Sequence, residues 1–252
     1  TTLIRCINGL IPRSYKGDLS GRILLNGRET ADLPLSRLSQ RVGTVLQDPE
    51  RQILGAHVFT EVAFGLENLA LPRDEIRRRV DETLDYLGIS HLRDRETFYL
   101  SGGEKQKVSL AGVLAMRPDV LLLDEPLASL DPASAQEALR LFRHLADAGM
   151  SILIVEHRVE DVLGIRPDRV LFMAEGRISY AGSPAGLAKV VGYRQVKLPA
   201  TAVIQKGAEV RSPAFEPAVK ANGRAPLVTF DGVSFSYGHG PRVIHDVDLT
   251  IR

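Results

Sequence analysis

The sequence predicts an α/β fold in which helices cover both faces of a mostly parallel sheet. Two short runs, VLLL at 120–123 and ILIV at 152–155, are apolar throughout, which is typical of strands buried on both faces. Helical patterns separate these runs along the chain, as parallel strands require. After position 226 apolar and polar residues alternate, which predicts antiparallel strands instead.

The first hundred residues predict short strands between helices. Residues 1–10 carry apolar side chains at helical spacing, and the Asn-Gly pair within GRILLNGRE (21–29) indicates a β-hairpin. VGTVLQ (42–47) is a short apolar strand, and helices are predicted at 57–70 and 74–88. The second of these helices has one apolar stripe, formed by Ile76, Val80, Leu84 and Leu87.

The following hundred residues continue the alternation. A helix follows Ser101, and another runs from Pro132 to about Ala148 before Gly149. RVLFMAEGRISYAG (169–182) is predicted to form a hairpin. We therefore expect a first domain at 1–204. A linker rich in Pro, Ala, Gly and charge follows at 205–226, and strands of a second domain at 227–252.

Composition narrows the possible functions. The net charge of +1 argues against a broad surface for nucleic acid or anionic lipid. With Cys6 as its single cysteine, the chain cannot form an internal disulfide, which fits a reducing compartment. No apolar run approaches the roughly 18–20 residues that span a bilayer.

Two adjacent carboxylates follow the VLLL strand. A central strand of an α/β sheet delivers its last side chains into the crevice at its carboxyl end. There Asp124 could hold Mg²⁺ and Glu125 could act as a general base on water. The alternative is a surface or capping pair, and the two residues alone do not decide between them.

A glycine pair opens the helix after Ser101. Ser101 and Glu104 have the spacing of a capping box, which explains both of them. Gly102 and Gly103 are not required by a cap, and glycine is unfavourable in a helix. Glycines at this end let an anion approach bare N–H groups, so we predict a phosphate site that coexists with the cap.

Five motifs in order resemble those of ATP-binding-cassette (ABC) ATPases. They are Gln47 in VLQDP, LSGGEKQ (100–106), LLLDEP (121–126), SLDP (129–132) and His157 in IVEHR. The resemblance implies a P-loop NTPase-like α/β fold with an α-helical subdomain at about 58–116 and an antiparallel β subdomain. A narrower resemblance, carried by residues 47–68 and 110–132, is to the ATPase subunits of energy-coupling-factor transporters, which import vitamins and metal ions such as cobalt.

The resemblance implies ATP and Mg²⁺ as cofactors and a role for each motif residue. Asp124 would bind Mg²⁺, Glu125 would be the catalytic base, Gln47 would touch Mg²⁺ or the attacking water, and His157 would contact the γ-phosphate. A second cassette would hold an ATP whose γ-phosphate meets Ser101, Gly102, Gly103 and Gln106, with Asp131 at the same interface. Asp131, before Pro132, is also a good helix N-cap.

The phosphate-loop motif GxxxxGK is absent from the 252 residues. The family continues this motif with Ser or Thr, Thr and Leu, and the chain opens with TTL. Thr1 would therefore be a hydroxyl ligand of Mg²⁺, and Thr2 would lie at the nucleotide. Tyr237 stands where the family stacks an aromatic ring on adenine, unless it is a plain sheet-face tyrosine. We expect a segment of a tandem two-cassette protein that is inactive by itself for lack of this loop.

Three functions compete. The first is the ATPase part of an energy-coupling-factor importer, at the cytoplasmic face of the plasma membrane, with a transmembrane subunit docked near Gln47. The second is a soluble tandem ABC ATPase acting on ribosomes or DNA; the short linker and near-zero charge argue against it. The third is a non-catalytic binding module. The presence of both Glu125 and the LSGGEKQ signature argues against it.

Overall fold

The computed structural model describes residues 1–190, 228–236 and 242–251. The predicted linker at 205–226 and Tyr237 lie outside the described residues. The helices are α1 Thr2–Ile7, α2 Leu10–Arg13, α3 Leu35–Arg41, α4 Pro49–Gln52, α5 Val58–Asn68, α6 Arg73–Tyr86, α7 Gly102–Ala115, α8 Pro132–Asp147, α9 Val159–Gly164 and α10 Pro184–Val190. The strands are β1 Leu24–Leu25, β2 Arg28–Glu29, β3 Val42–Val45, β4 Val120–Asp124, β5 Ser151–Val155, β6 Val170–Ala174, β7 Arg177–Gly182, β8 Val228–Ser236 and β9 Arg242–Ile251.

A parallel sheet in the order β3-β4-β5 forms the centre of the first unit. Val42 pairs with Val120, and Val120 pairs with Ser151, so the carboxyl ends of all three strands meet at one edge. Helices connect the strands, which confirms the α/β class predicted from the apolar runs. Side chains that follow the three strands are therefore brought together at that edge.

Helices cover both faces of this sheet, as the sequence predicts. Leu121 and Leu123 belong to one core cluster, with residues from α5, α6, α7 and α8. Leu122 belongs to a second cluster on the opposite face, with Ile4 of α1 and Leu38 of α3. All three leucines of β4 are fully buried. Burial on both faces explains why this strand has no polar alternation.

The helical region between β3 and β4 packs its apolar stripe inward. Ile76, Val80, Leu84 and Leu87 are all buried in the larger core cluster, as predicted. The charges of α6 lie on its other side, where Arg78 pairs with Glu75 and Glu82. The stripe thus orients α6 against α5 and α7.

Antiparallel pairs form where hairpins are predicted. In the β1–β2 turn Asn26 and Gly27 have φ of 49° and 77°, and in the β6–β7 turn Glu175 and Gly176 have 50° and 74°. Two positive φ angles in a row match the twist of a tight hairpin. In the second unit, Ala208–Arg252, β8 pairs with β9 antiparallel.

Some boundaries differ from the sequence predictions. The first helix ends at Ile7 because Gly9 adopts a φ of 77°, and α2 follows as a separate turn. β3 ends at Val45, two residues earlier than predicted, so Leu46 and Gln47 belong to the loop that follows. The short helices α3 and α4 were not predicted. Within the described residues, no helix combines the length and apolarity needed to cross a membrane.

Candidate nucleotide site

Glu125 stands at the point where β4 leaves the sheet. Its N–H donates to the carbonyl of Val155 at 2.8 Å. This bond continues the hydrogen bonding between β4 and β5 by one residue before the chain turns away from the sheet. Its φ is 49°, in the left-handed region that residues other than glycine seldom adopt. Such backbone conformations concentrate at functional sites, and here the turn exposes 20% of the carboxylate side chain.

Two side chains from neighbouring loops contact the Glu125 carboxylate. Nε2 of Gln47 donates to Oε2 at 2.9 Å. Nε2 of His157 lies 3.1 Å from Oε1, and 83% of the His157 side chain is exposed. The three residues follow β3, β4 and β5. The structure thus brings together the three residues predicted as catalytic.

Asp124 and Thr1 form a second contact at the same strand end. Asp124 is 6% exposed, and its Oδ1 accepts a hydrogen bond from Oγ1 of Thr1 at 3.1 Å. Within the described part of the chain, no cluster of three or more His, Cys, Asp or Glu residues could hold a metal. A carboxylate beside a hydroxyl still fits Mg²⁺, which takes one or two protein oxygens and completes its shell with water and phosphate. Thr2 is exposed at the first turn of α1.

The turn that begins α7 has the predicted capping box. Oγ of Ser101 accepts from the Glu104 N–H at 3.3 Å, and Oε2 of Glu104 accepts from the Ser101 N–H at 2.7 Å. Burial raises the pKa of Glu104, but the hydrogen bonds from Ser101 and the nearby charge of Arg95 outweigh it and lower the pKa below its usual value. Glu104 is therefore ionised at neutral pH.

The glycines of this turn are not required by packing. A Cβ at Gly102 would lie 3.6 Å from the Ser129 carbonyl oxygen, and one at Gly103 would lie 3.5 Å from Oγ of Ser134. Both are ordinary contact distances. Within the described residues, the amides of Gly102 and Gly103 have no hydrogen-bond acceptor, and Ser101 and Gly102 are exposed. Bare amides at a helix N-terminus can receive an anion.

The side chains of Asp131 and Gln106 both form hydrogen bonds within this chain. Asp131 caps α8, accepting from Ala133 and Ser134 amides at 2.9 and 3.1 Å and from the Ser134 hydroxyl. The Ser134 hydroxyl and amide hold the pKa of Asp131 below its usual range. Gln106 is 7% exposed, and its Nε2 donates to the carbonyl of Pro126. Its predicted phosphate contact would require this side chain to turn outward.

Two carboxylates that the sequence reasoning missed hold loops of the site. Oε2 of Glu61 accepts from the amides of Leu54 and Gly55, both at 2.7 Å, in the segment that follows Gln47. Oε1 of Glu156 accepts from the Leu127 amide at 2.8 Å. The only available signal was position: Glu156 directly precedes His157, and Glu61 lies in a buried turn of α5.

This chain is similar in sequence to known proteins. The profile of the ABC transporter family matches residues 1–128. A putative ABC transporter ATP-binding protein of Saccharolobus solfataricus is 44% identical over 179 residues, 71% of this chain and 34% of that protein. A putative ABC transporter ATP-binding protein of Streptomyces coelicolor is 44% identical over 186 residues, 73% of this chain and 33% of that protein. The chain thus spans about a third of the length of these curated relatives.

A solved structure agrees with these sequence matches. CbiO1 of Clostridium perfringens, described as part of the ABC transporter complex cbiONQ, superposes with a TM-score of 0.69 at 37% identity. The superposition covers 81% of this chain and 76% of that chain. The matched range of the family profile includes the strand ends that carry Gln47, Asp124 and Glu125. The chain belongs to the ABC transporter family, to its ATP-binding component.

Proposed function

We propose that this chain is part of the ATP-hydrolysing component of an importer of the energy-coupling-factor type, which takes up a vitamin or a metal ion. The observation that carries the proposal is the Glu125 carboxylate, held between Gln47 and His157 at the ends of three parallel strands. The similarity to cbiO1, part of a cbiONQ complex, supports the importer class.

Glu125 is the general base in this proposal. Its carboxylate accepts a proton from the attacking water, while Gln47 and His157 fix its orientation through one oxygen each. His157 then offers a donor to the terminal phosphate. Asp124 and Thr1 would hold Mg²⁺, which supplies charge neutralisation of the phosphates when bound.

A second cassette completes the site. Ser101, Gly102 and Gly103 offer a hydroxyl and two amides without an acceptor in the described part of their own chain. Nothing in the packing around these glycines calls for glycine, which supports a ligand that approaches from outside. We propose that this ligand is the terminal phosphate of ATP held by the other cassette, with Asp131 at the same contact.

A transmembrane subunit docks near Gln47 and the helical region, at the cytoplasmic face of the plasma membrane. Exposed apolar side chains support this part of the proposal. Leu54 is 70% exposed and Phe98 is 81% exposed, and Oγ1 of Thr97 donates to the Gly55 carbonyl at 2.7 Å, which joins their two segments. Phe64 of α5 is a further exposed apolar residue. Exposed apolar patches of this kind mark contact surfaces.

The domain arrangement belongs to the same proposal. The relatives are about twice as long as this chain, which supports a longer two-cassette protein in which residues 1–204 and 227–252 belong to successive cassettes. Without a phosphate loop, the 252 residues alone would hydrolyse ATP negligibly. Function therefore has to be measured on the full-length protein.

The test is ATP hydrolysis and uptake by the full-length protein, reconstituted with the membrane protein that co-purifies with it. We expect Glu125→Gln to lower the ATPase rate by about 10²-fold or more, the usual size of general base catalysis. Glu160→Gln, which removes an equal charge from an exposed position on α9, is the matched control. Unchanged turnover in Glu125→Gln, or co-purification with ribosomes in place of a membrane protein, would contradict the proposal.

A further inference from the structure

The two residues that flank His157 hold both backbone groups of Leu127. Oε1 of Glu156 accepts a hydrogen bond from the Leu127 N–H at 2.8 Å. Nη1 of Arg158 donates to the Leu127 carbonyl at 3.2 Å. Leu127 is the second residue after Glu125, and its side chain is fully buried in the core. The loop after β4 is thus attached to the loop after β5 on either side of His157.

The other oxygen of Glu156 serves its own loop. Oε2 accepts from the amides of His157 at 3.0 Å and Arg158 at 3.2 Å. These two bonds form a local turn and by themselves would indicate only a loop cap. The bond to Leu127 crosses 29 positions of sequence and has no local explanation. One carboxylate therefore connects two loops, one oxygen to each.

Arg158 is itself fixed. Its Nε pairs with Oδ2 of Asp161 at 2.7 Å, within the first turn of α9. The guanidinium thus connects α9 to the carbonyl of Leu127. Together with the N–H of Glu125 on the Val155 carbonyl, these contacts give the two loops several independent connections. A rigid link of this kind determines the separation of groups carried on both sides.

We propose that Glu156 is a positioning residue that sets the distance between His157 and Glu125, with Arg158 as its second support. The proposal rests on the function proposed above, in which Glu125 is the base. Glu156 does not reach the reacting atoms. It acts by keeping the His157 loop and the Glu125 loop in register, and small displacements of catalytic groups cost rate steeply.

The experiment measures ATPase kinetics of the full-length protein with its membrane partner. Glu156→Gln keeps the size of the side chain but replaces one accepting oxygen with a donor, so it can serve only one loop. Glu156→Asp keeps the charge but shortens the reach. We expect both variants to lower kcat by about 10- to 100-fold, with KM for ATP changed less than about twofold because the Glu156 side chain does not itself contact ATP. Glu160→Gln, at an exposed position on α9, is the control that should match the wild type.

Measuring Glu156→Gln in a His157→Ala protein distinguishes a positioning role from an unspecific structural role. If Glu156 acts through His157, then Glu156→Gln loses its effect when combined with His157→Ala, because there is no imidazole left to place. An equal fold-loss of kcat in both backgrounds would indicate an unspecific structural role and overturn the inference. Wild-type kinetics in both Glu156 variants would overturn it as well.

The same series distinguishes a failure of the proposed function from a failure of the positioning role. Glu125→Gln is measured in the same series, and its loss of turnover is the expected result. If Glu125→Gln is inactive while both Glu156 variants behave as the wild type, only the positioning role is wrong. If Glu125→Gln retains full turnover, the base assignment fails and the positioning role falls with it.

Discussion

Nε2 of His157 lies 3.1 Å from Oε1 of Glu125, although the two residues are 32 positions apart in sequence. Parallel pairing of β4 with β5 makes this possible, because the carboxyl ends of both strands reach the same edge. Gln47, after β3, contacts the other oxygen at 2.9 Å. Among the described residues, each carboxylate oxygen thus has one side-chain partner, and each partner belongs to a different loop.

The first prediction concerns His157. Because 83% of its side chain is exposed, His157→Ala removes the contact with Glu125 without leaving a cavity. We expect kcat of the full-length protein to fall by about 10²-fold or more, with the thermal unfolding midpoint unchanged. His144→Ala, at an exposed position on α8, is the control. A normal kcat in His157→Ala would show that the contact has no role in turnover.

The sequence predicts these residues through the family resemblance, and the apolar runs predict only the parallel sheet that brings them to one edge. Apolar runs at 120–123 and 152–155 indicate such strands, and polar residues after them must meet at one edge. The Ser101–Glu104 capping box could also be predicted, because it depends only on two residues three positions apart in sequence. Signals of these kinds do not depend on the rest of the fold.

Contacts set by tertiary packing could not be predicted. Glu61 and Glu156 each bind amides of a segment whose position depends on the whole domain. Gln106 belongs to the signature motif, yet its amide is turned to the Pro126 carbonyl because its helical position faces the core. A motif identifies the residue type at a position but not the direction of its side chain.

The second prediction is a pH dependence at the start of α7. The pKa of Glu104 is lowered in the folded protein, so its contribution to stability is fully present above the unfolded-state pKa of about 4.3. That contribution is lost as pH falls through the lower folded-state pKa. We expect Glu104→Gln to lower the free energy of unfolding at pH 7 by about 0.3–1 kcal/mol, because glutamine can keep the bond to the Ser101 amide but removes a negative charge from the N-terminus of α7. The difference from the wild type should shrink below about pH 4.

Chemical denaturation at a series of pH values measures this difference. The control is Glu67→Gln on α5, whose side chain is exposed. A difference between wild type and Glu104→Gln that stays constant from pH 7 to pH 3 would mean that the charge of Glu104 does not stabilise the cap.

The third prediction concerns Gly55, in the segment after Gln47. A Cβ at Gly55 would lie 2.5 Å from the backbone nitrogen and 2.8 Å from the Cα of Glu61, so neither neighbour can move aside cheaply. Gly55→Ala should also pull the Gly55 amide away from Oε2 of Glu61. We expect a loss of about 1–3 kcal/mol in the free energy of unfolding. Gly17→Ala, where nothing lies within 4 Å, should be neutral, and equal stability of the two variants would contradict the prediction.

The fourth prediction is that a substitution at Gly102 lowers ATPase activity without lowering stability. A Cβ there meets only the Ser129 carbonyl oxygen, at 3.6 Å, and alanine is the better helix residue. We therefore expect Gly102→Ala to leave the unfolding midpoint unchanged or slightly raised. The added methyl would nevertheless obstruct the approach of a phosphate to the amides of Gly102 and Gly103. Loss of such donors typically costs about 10²-fold or more in rate, and we expect ATPase of the full-length protein to fall by that order.

Gly164→Ala, in α9 with open space around its Cβ, provides the comparison, because it should change neither quantity. The informative result is the divergence at Gly102: a protein at least as stable as the wild type that has lost turnover. That pattern has no explanation in packing and requires a ligand at the start of α7. Full ATPase activity in Gly102→Ala would mean that the glycines serve no phosphate, and a parallel drop in stability and activity would mean that they serve the fold.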